Sequence, residues 1–506
     1  MDTTLRDGEQ TEEVSFSTSE KLAIAKKLLL EVKVDRIEIA STRVSKGEQD
    51  TCKEIYAWAK SLGLLDKVEV LSFVDYNLSV DWVEEVGGKV INLLCKGSKN
   101  HCINQLRKKP QEHFEDVKRT VEYALSKGFI VNAYLEDFSN GIKEDSEYVY
   151  GISKVLFDSG VSRVLLADTL GILSPSEVRE YVSQMVGKFP NKKFEFHGHN
   201  DYGLAVANSI EAVLVGASGV HCTVNGMGER TGNTALEVIV PAINDFSDRK
   251  CNVDEKKLAS ISHLVELFSH RRLEKNHPIL GAVVFTQTAG IHADGDKKGN
   301  LYKSKLSADR FGRSTRYALG KLSGKASIEL TLRQLGIALE GELLKKVLAR
   351  VVELGDKKEF VSKEDLLFII NEMENNGLVA KKKFRLIDYN VTTKFGAKPK
   401  ARIKVSFNEK EFSSIALGNG GFNAFVNALK KVFVKNKLKF PMLEDYEVRI
   451  PVGGHTDSLV ETKITWKKGN RKIETIGVST DQLEAAIKAT EKMVNVILML
   501  GTDEKE

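Results

Sequence analysis

At 506 residues, with 42% hydrophobic and 29% charged side chains, the chain is longer than one hydrophobic core usually organises, so two or more soluble domains are expected. Its 75 basic and 70 acidic residues are dispersed without a long single-sign block, which argues against nucleic-acid binding. Five cysteines without a CxxC pair suggest neither a disulfide framework nor a thiolate zinc site, and no stretch reaches the ~20 apolar residues needed to span a bilayer. The expectation is an unprocessed protein of the reducing cytoplasm that makes no membrane contact.

In chain order, the first element is a truncated strand at residues 3–5. A barrel strand needs ~5 residues to pair on both sides, so upstream residues are expected in a longer reading frame. Ser17 and Glu20 then match a capping box, and Leu22, Ala25, Leu28, Leu29 and Val32 fall on one helical stripe. Short β-branched or apolar runs recur at residues 36–40, 68–74, 90–94, 130–135, 164–167, 194–197 and 219–224, with helical patterns between them. Seven runs plus the truncated one make eight, the count of a (β/α)8 TIM barrel; an open doubly wound sheet is the alternative, but no GxGxxG turn follows the first strand. The barrel is assigned to residues 1–270 and helical, Lys-rich connecting subdomains to residues 271–380. A C-terminal α+β domain takes residues 381–506, with strands at 384–393 and 401–417 that fold back at Asn408-Glu409-Lys410. A helix over 422–437, strands at 446–451 and 459–466, and a last helix from Thr480 complete it.

Catalytic groups in such barrels collect at the C-terminal strand ends, and these ends are unusually polar here. His197 and His199 sit two apart on a strand, so both imidazoles share a face; with Asp7 and Asn233 nearby they can hold a divalent ion, zinc, manganese or magnesium. Glu136 shares a strand face with Tyr134 and is a candidate general acid or base, or else a salt-bridge partner of Arg6. Arg6 is placed to stabilise an oxyanion, or simply to balance rim carboxylates.

Three segments, Asp2-Thr3-Thr4-Leu5-Arg6-Asp7-Gly8-Glu9-Gln10, Phe196-His197-Gly198-His199-Asn200-Asp201 and Asn225-Gly226-Met227-Gly228-Glu229-Arg230-Thr231-Gly232-Asn233, resemble the signatures of the 2-isopropylmalate, citramalate and homocitrate synthases. The resemblance runs essentially end to end. It implies a Claisen-type condensation of acetyl-CoA with a small 2-oxo acid, with Asp7, His197, His199 and Asn233 on the metal. Thr169 would bind the substrate carboxylate, Arg6 would steady the enolate or oxyanion, and Glu136 would do acid/base work. Residues 285–295 resemble the segment that brings a catalytic histidine into the partner subunit's active site, which implies a homodimer and carries over His292, with Asn300 and Tyr302 in the matching loop. The C-terminal part is similar to the family's regulatory domain, so Tyr446, Ile450, Thr456, Val460 and Gln482 are candidate contacts to an amino-acid effector. There the family's Gly-x-Gly-Pro-like turn is replaced by Gly418-Asn419-Gly420-Gly421.

Leu71, Leu94 and Tyr134 match the citramalate branch, where bulky walls leave room for a methyl but crowd an isopropyl group. Pyruvate is therefore favoured over 2-oxoisovalerate, and isoleucine over leucine as effector. Two other classes are weighed against this reading. A lyase of the hydroxymethylglutaryl-CoA type would carry a cysteine in its last barrel loop, and residues 225–233 contain none; a dead barrel used as an amino-acid sensor is disfavoured by intact Arg6, Asp7, Glu136, His197, His199 and His292.

Overall fold

The computed structural model describes residues 1–287, 294–295, 298–299, 301–302, 304–334, 337, 339–356, 361, 363–374, 383–449, 460–469 and 471–499; His292, Asn300, Ile450 and Thr456 lie outside the described residues. The chain forms two compact units. One holds Met1–Phe285 with Ser304–Ser314, the other Thr286–Lys303 with Thr315–Glu506.

In the first unit, β1 (Ile37–Ser41), β2 (Val68–Phe73), β3 (Val90–Lys96), β4 (Ile130–Glu136), β5 (Val164–Asp168), β6 (Phe194–Gly198) and β7 (Gly219–His221) form one sheet in sequence order. Every neighbouring pair is parallel. Asp2 closes the sheet into a (β/α)8 barrel by bridging Ile37 on one side and Cys222 on the other. The eighth strand position thus lies nearer Met1 than the expected residues 3–5. The reason is local: the N–H groups of Arg6, Asp7 and Gly8 all converge on the Thr3 carbonyl, and Thr4 N–H donates to Asp2 Oδ1, so the backbone turns at Thr3.

Side-chain alternation along the strands builds two layers. Ile37, Val70, Leu93, Ala133, Leu135, Leu166 and Phe196 face outward into the main core, which they share with helix residues such as Ile24, Ala25, Leu28 and Val32. Residues of opposite parity face the barrel interior and are polar far more often. The expected capping box forms, with Ser17 and Glu20 bonded reciprocally at the start of helix Thr18–Lys26.

Lys21 of that helix is fully buried and pairs with Glu9 at 2.6 Å and Glu48 at 2.7 Å, tying the turn after Asp7 to helix Lys46–Ser61. Breaking such a pair strands two carboxylates in a poorly solvated place. Lys21→Met is expected to cost about 3 kcal/mol in urea unfolding; a loss below about 1 kcal/mol would show that the pair is not structural.

The second unit holds helices Lys325–Gln334, Gly341–Asp356 and Lys363–Glu374 around a core that includes Ile328, Leu344, Val347 and Leu366. Beyond them β8 (Phe384–Thr392), β9 (Lys400–Phe407) and β10 (Lys410–Leu417) form an antiparallel meander. Asn408 and Glu409 both take positive φ at its hairpin, the backbone that a two-residue turn needs to follow strand twist. Helix Gly421–Lys435 follows, then β11 (Met442–Arg449), β12 (Val460–Lys468) and β13 (Arg471–Ser479), and helix Gln482–Met499. Trp466, Phe407, Phe425 and Phe433 anchor its core.

Candidate metal and active site

At the C-terminal end of β6, His197 and His199 flank Gly198, whose missing Cβ avoids the Phe196 ring 2.9 Å away. The same-face spacing aims both imidazoles at Asp7. His197 Nε2 lies 3.2 Å and His199 Nε2 3.9 Å from Asp7 Oδ2, and the two nitrogens are 3.4 Å apart. All three residues are buried. Among the described residues, Asp7 Oδ2 and the neighbouring Asn233 Oδ1 have no hydrogen-bond partner. Converging lone pairs in a buried place repel unless a cation neutralises them, and two imidazoles with a carboxylate suit a divalent ion.

Asn233 is held by an antiparallel bridge to His199 and by its amide, which donates to the Met227 carbonyl at 3.0 Å. Gly228 is obligatory beneath it, because its φ is +151° and a Cβ there would lie 2.1 Å from Asn233 Nδ2. Burial works against ionisation of Asp7, but Arg6, His197 and His199 outweigh it and hold the carboxyl far below the usual range. Burial, then the neighbouring His197, pushes His199 down to about 4. Asp7 is therefore ionised and His199 neutral at neutral pH, with one ring nitrogen free to ligate, as metal binding requires.

Arg6 is wrapped on three sides. Its Nε donates to Glu38 Oε2 at 2.6 Å, Nη2 to the Tyr134 hydroxyl at 3.2 Å, and Nη1 lies 3.3 Å from Asp7 Oδ1. Burial opposes its charge, yet Asp7 and Glu38 more than restore it. The site thus contains a permanent cation with little water to screen it. Glu136 does not pair with Arg6; its ion-pair partner is Lys96, placed directly beside it by the parallel register of β3 and β4. Thr169 Oγ1 accepts the Asp137 N–H at 2.9 Å, and Arg230, held by both oxygens of Asp201, donates to the Thr169 carbonyl.

Leu71 and Tyr134 join Met1, Leu165 and Ala167 in a small apolar cluster inside the barrel, with Leu94 packed against it and opposite Tyr134 in register. Sequence reasoning missed Glu38, Lys96, His221 and Glu195. The signal was a charged or polar residue at the inward position of an otherwise apolar strand, as in Ile37-Glu38-Ile39 and Phe194-Glu195-Phe196.

In the second unit, Tyr446 packs on Phe422 with ring centroids 5.2 Å apart. Burial raises its hydroxyl, and a hydrogen bond with Gln482 counters part of that. Val460 is buried at the start of β12, and Tyr302 covers Gly295 so closely that a Cβ there would stand 2.5 Å from its ring.

Residues 1–265 match the HMGL-like family, residues 279–359 the homocitrate synthase post-HMGL domain-like family and residues 360–498 the LeuA allosteric (dimerisation) domain. The (R)-citramalate synthase of Methanocaldococcus jannaschii is 33% identical over 98% of this chain and 99% of its own length. This chain belongs to the 2-isopropylmalate, citramalate and homocitrate synthase family. The 2-isopropylmalate synthase of the same organism is 32% identical to this synthase, over 98% and 94% of the two chains. Among solved structures, a hydroxymethylglutaryl-CoA lyase from Pseudomonas aeruginosa is 21% identical with a TM-score of 0.47, over 54% of this synthase and 93% of that chain. The synthase is thus an acyltransferase of the condensing type. Among its described residues no helix is long and apolar enough to cross a membrane.

Proposed function

We propose that this synthase condenses acetyl-CoA with pyruvate to give (R)-citramalate and CoA, using a divalent ion held by Asp7, His197, His199 and Asn233. The observation that carries the metal site is the buried convergence of Asp7 Oδ2 with two imidazole nitrogens, an oxygen left without a hydrogen bond among the described residues while Arg6 takes up Oδ1. A divalent ion, whether manganese, magnesium or zinc, supplies Lewis-acid polarisation of the ketone when bound there. Arg6, held charged beside Asp7, faces the negative charge that develops on the substrate oxygen. Thr169 anchors the 2-oxo acid carboxylate. Glu136, with Lys96 as its counter-ion, and His292 exchange the protons: the acetyl methyl loses one as the carbon–carbon bond forms, and water then cleaves the thioester to release CoA.

Support for pyruvate comes from the Leu71, Leu94 and Tyr134 walls, which pack against one another inside the barrel. The residue 381–506 region is read as a regulatory and dimerising domain, with residues 271–380 connecting it to the barrel at residues 1–270 and contributing His292, Asn300 and Tyr302 to the partner copy of a homodimer. Tyr446, Ile450, Thr456, Val460 and Gln482 are read as effector contacts, for isoleucine before leucine. The match to a 2-isopropylmalate synthase at 32% identity favours the second reading, condensation with 2-oxoisovalerate.

Thiol release measured with each oxo acid tests the choice. Pyruvate is expected to exceed 2-oxoisovalerate by about tenfold or more in kcat/KM, the scale of one crowded branched group, and Leu94→Ala is expected to narrow the gap. A preference for 2-oxoisovalerate in the unmodified enzyme would replace pyruvate as substrate.

A further inference from the structure

Below the metal-binding rim, the barrel interior holds a continuous chain of hydrogen bonds whose far end lies at the bottom of the barrel. Arg36 Nη2 donates to Glu195 Oε1 at 2.6 Å, and Arg163 Nε lies 3.4 Å from the same oxygen. Glu195 Oε2 is 3.0 Å from His221 Nε2; His221 Nδ1 is 3.0 Å from the Tyr134 hydroxyl, and that hydroxyl takes the Arg6 Nη2–H at 3.2 Å. His221, Glu195 and Tyr134 are all buried.

The partners set the direction of every bond. Glu195 Oε1 faces two guanidinium groups, Arg36 at 2.6 Å and Arg163 at 3.4 Å, so the carboxylate accepts from both sides and leaves Oε2 as an acceptor for His221 Nε2. The imidazole proton of His221 must then sit on Nε2, which leaves Nδ1 as a lone pair. The single Tyr134 hydrogen is drawn to that lone pair. Glu38 Oε2 also lies within reach of the hydroxyl at 3.2 Å, but His221 Nδ1 is nearer at 3.0 Å and has no other donor once the ring proton sits on Nε2. The Tyr134 oxygen therefore turns a lone pair to Arg6. With Glu38 on Nε, Asp7 on Nη1 and Tyr134 on Nη2, the two remaining N–H groups of the guanidinium fork have fixed directions.

We infer that His221 and Glu195 are positioning residues for Arg6, acting through the Tyr134 hydroxyl to orient the guanidinium that faces the reacting oxygen. This rests on the role proposed above for Arg6. A merely structural role differs in what it predicts. The His221 ring also packs edge-on against His197, with centroids 5.5 Å apart, so a purely structural change at 221 would act through the metal ligand instead.

The test is a double-mutant cycle on the full-length enzyme with Mn2+, acetyl-CoA and pyruvate. His221→Phe and Tyr134→Phe are each expected to lower kcat by about 10- to 100-fold, the scale of a misoriented catalytic group. The double variant should be no slower than the slower single one, since both break the same chain. His221→Gln, whose amide offers a donor and an acceptor at a similar separation, should recover most of kcat, and Mn2+ affinity by calorimetry should match the unmodified enzyme. If His221→Phe does not fold, Glu195→Gln takes its place in the cycle. Multiplicative losses in the double variant, a single-variant kcat within twofold of the unmodified enzyme, or weakened Mn2+ binding in His221→Gln would each overturn the inference. Arg6→Lys run in parallel separates the two readings: full turnover there removes the role of Arg6 itself, whereas a severe loss combined with a multiplicative cycle removes only the relay.

Discussion

Alanine at His197 or His199 is expected to lower kcat by about a thousandfold or more, because Lewis-acid stabilisation of the developing charge is worth several kcal/mol and each missing ligand leaves the ion loosely held. Chelation of the unmodified enzyme should produce the same loss, reversed by adding back a divalent ion. The fold itself should survive, since Arg6, with Nη1 3.3 Å from Asp7 Oδ1, offers that carboxylate a counter-ion within the chain. Binding therefore has a readout independent of turnover: Mn2+ should raise the melting temperature of the unmodified chain by mass action and leave that of His197→Ala nearly unmoved. Equal stabilisation of both proteins, or full turnover after chelation, would remove His197 from the metal site.

Arg6→Lys carries the second large effect. The guanidinium makes three directed contacts, to Glu38, Asp7 and Tyr134, and an ammonium on a shorter reach cannot reproduce that fork. The charge survives while its placement does not, so the expected loss is about 100- to 1,000-fold in kcat, the range seen when one preorganised donor to an oxyanion is removed. KM for pyruvate should change far less, because the interaction strengthens as charge develops. A variant that loses affinity but keeps kcat would show that Arg6 binds the ground state and does not act on the reacting oxygen.

Both effects start from residues that stand out in the primary structure for local reasons. A spacing of two on a strand puts His197 and His199 on one face whatever the rest of the chain does, and the run of eight short apolar segments separated by helical stripes points to a closed parallel barrel. The capping box at Ser17 and Glu20 and the hairpin at Asn408 and Glu409 are equally local, since each depends on residues within four positions. These features were legible because covalent spacing and side-chain period decide them.

Partner choice across the barrel was not legible, because it depends on register and on closure. Glu136 meets Lys96 and not Arg6 because β3 and β4 pair with those two residues side by side, a register that neither strand encodes alone. Arg6 finds Glu38, and Tyr134 finds His221, only once the barrel has closed through Asp2, which brings together residues separated by 32 and 87 positions. The sequence by itself determined the barrel period, the paired imidazoles and the identity of the charged rim. The tertiary structure decided which carboxylate holds which cation and how the arginine is aimed, because inward-facing side chains acquire partners only when the closed sheet sets the distances between them.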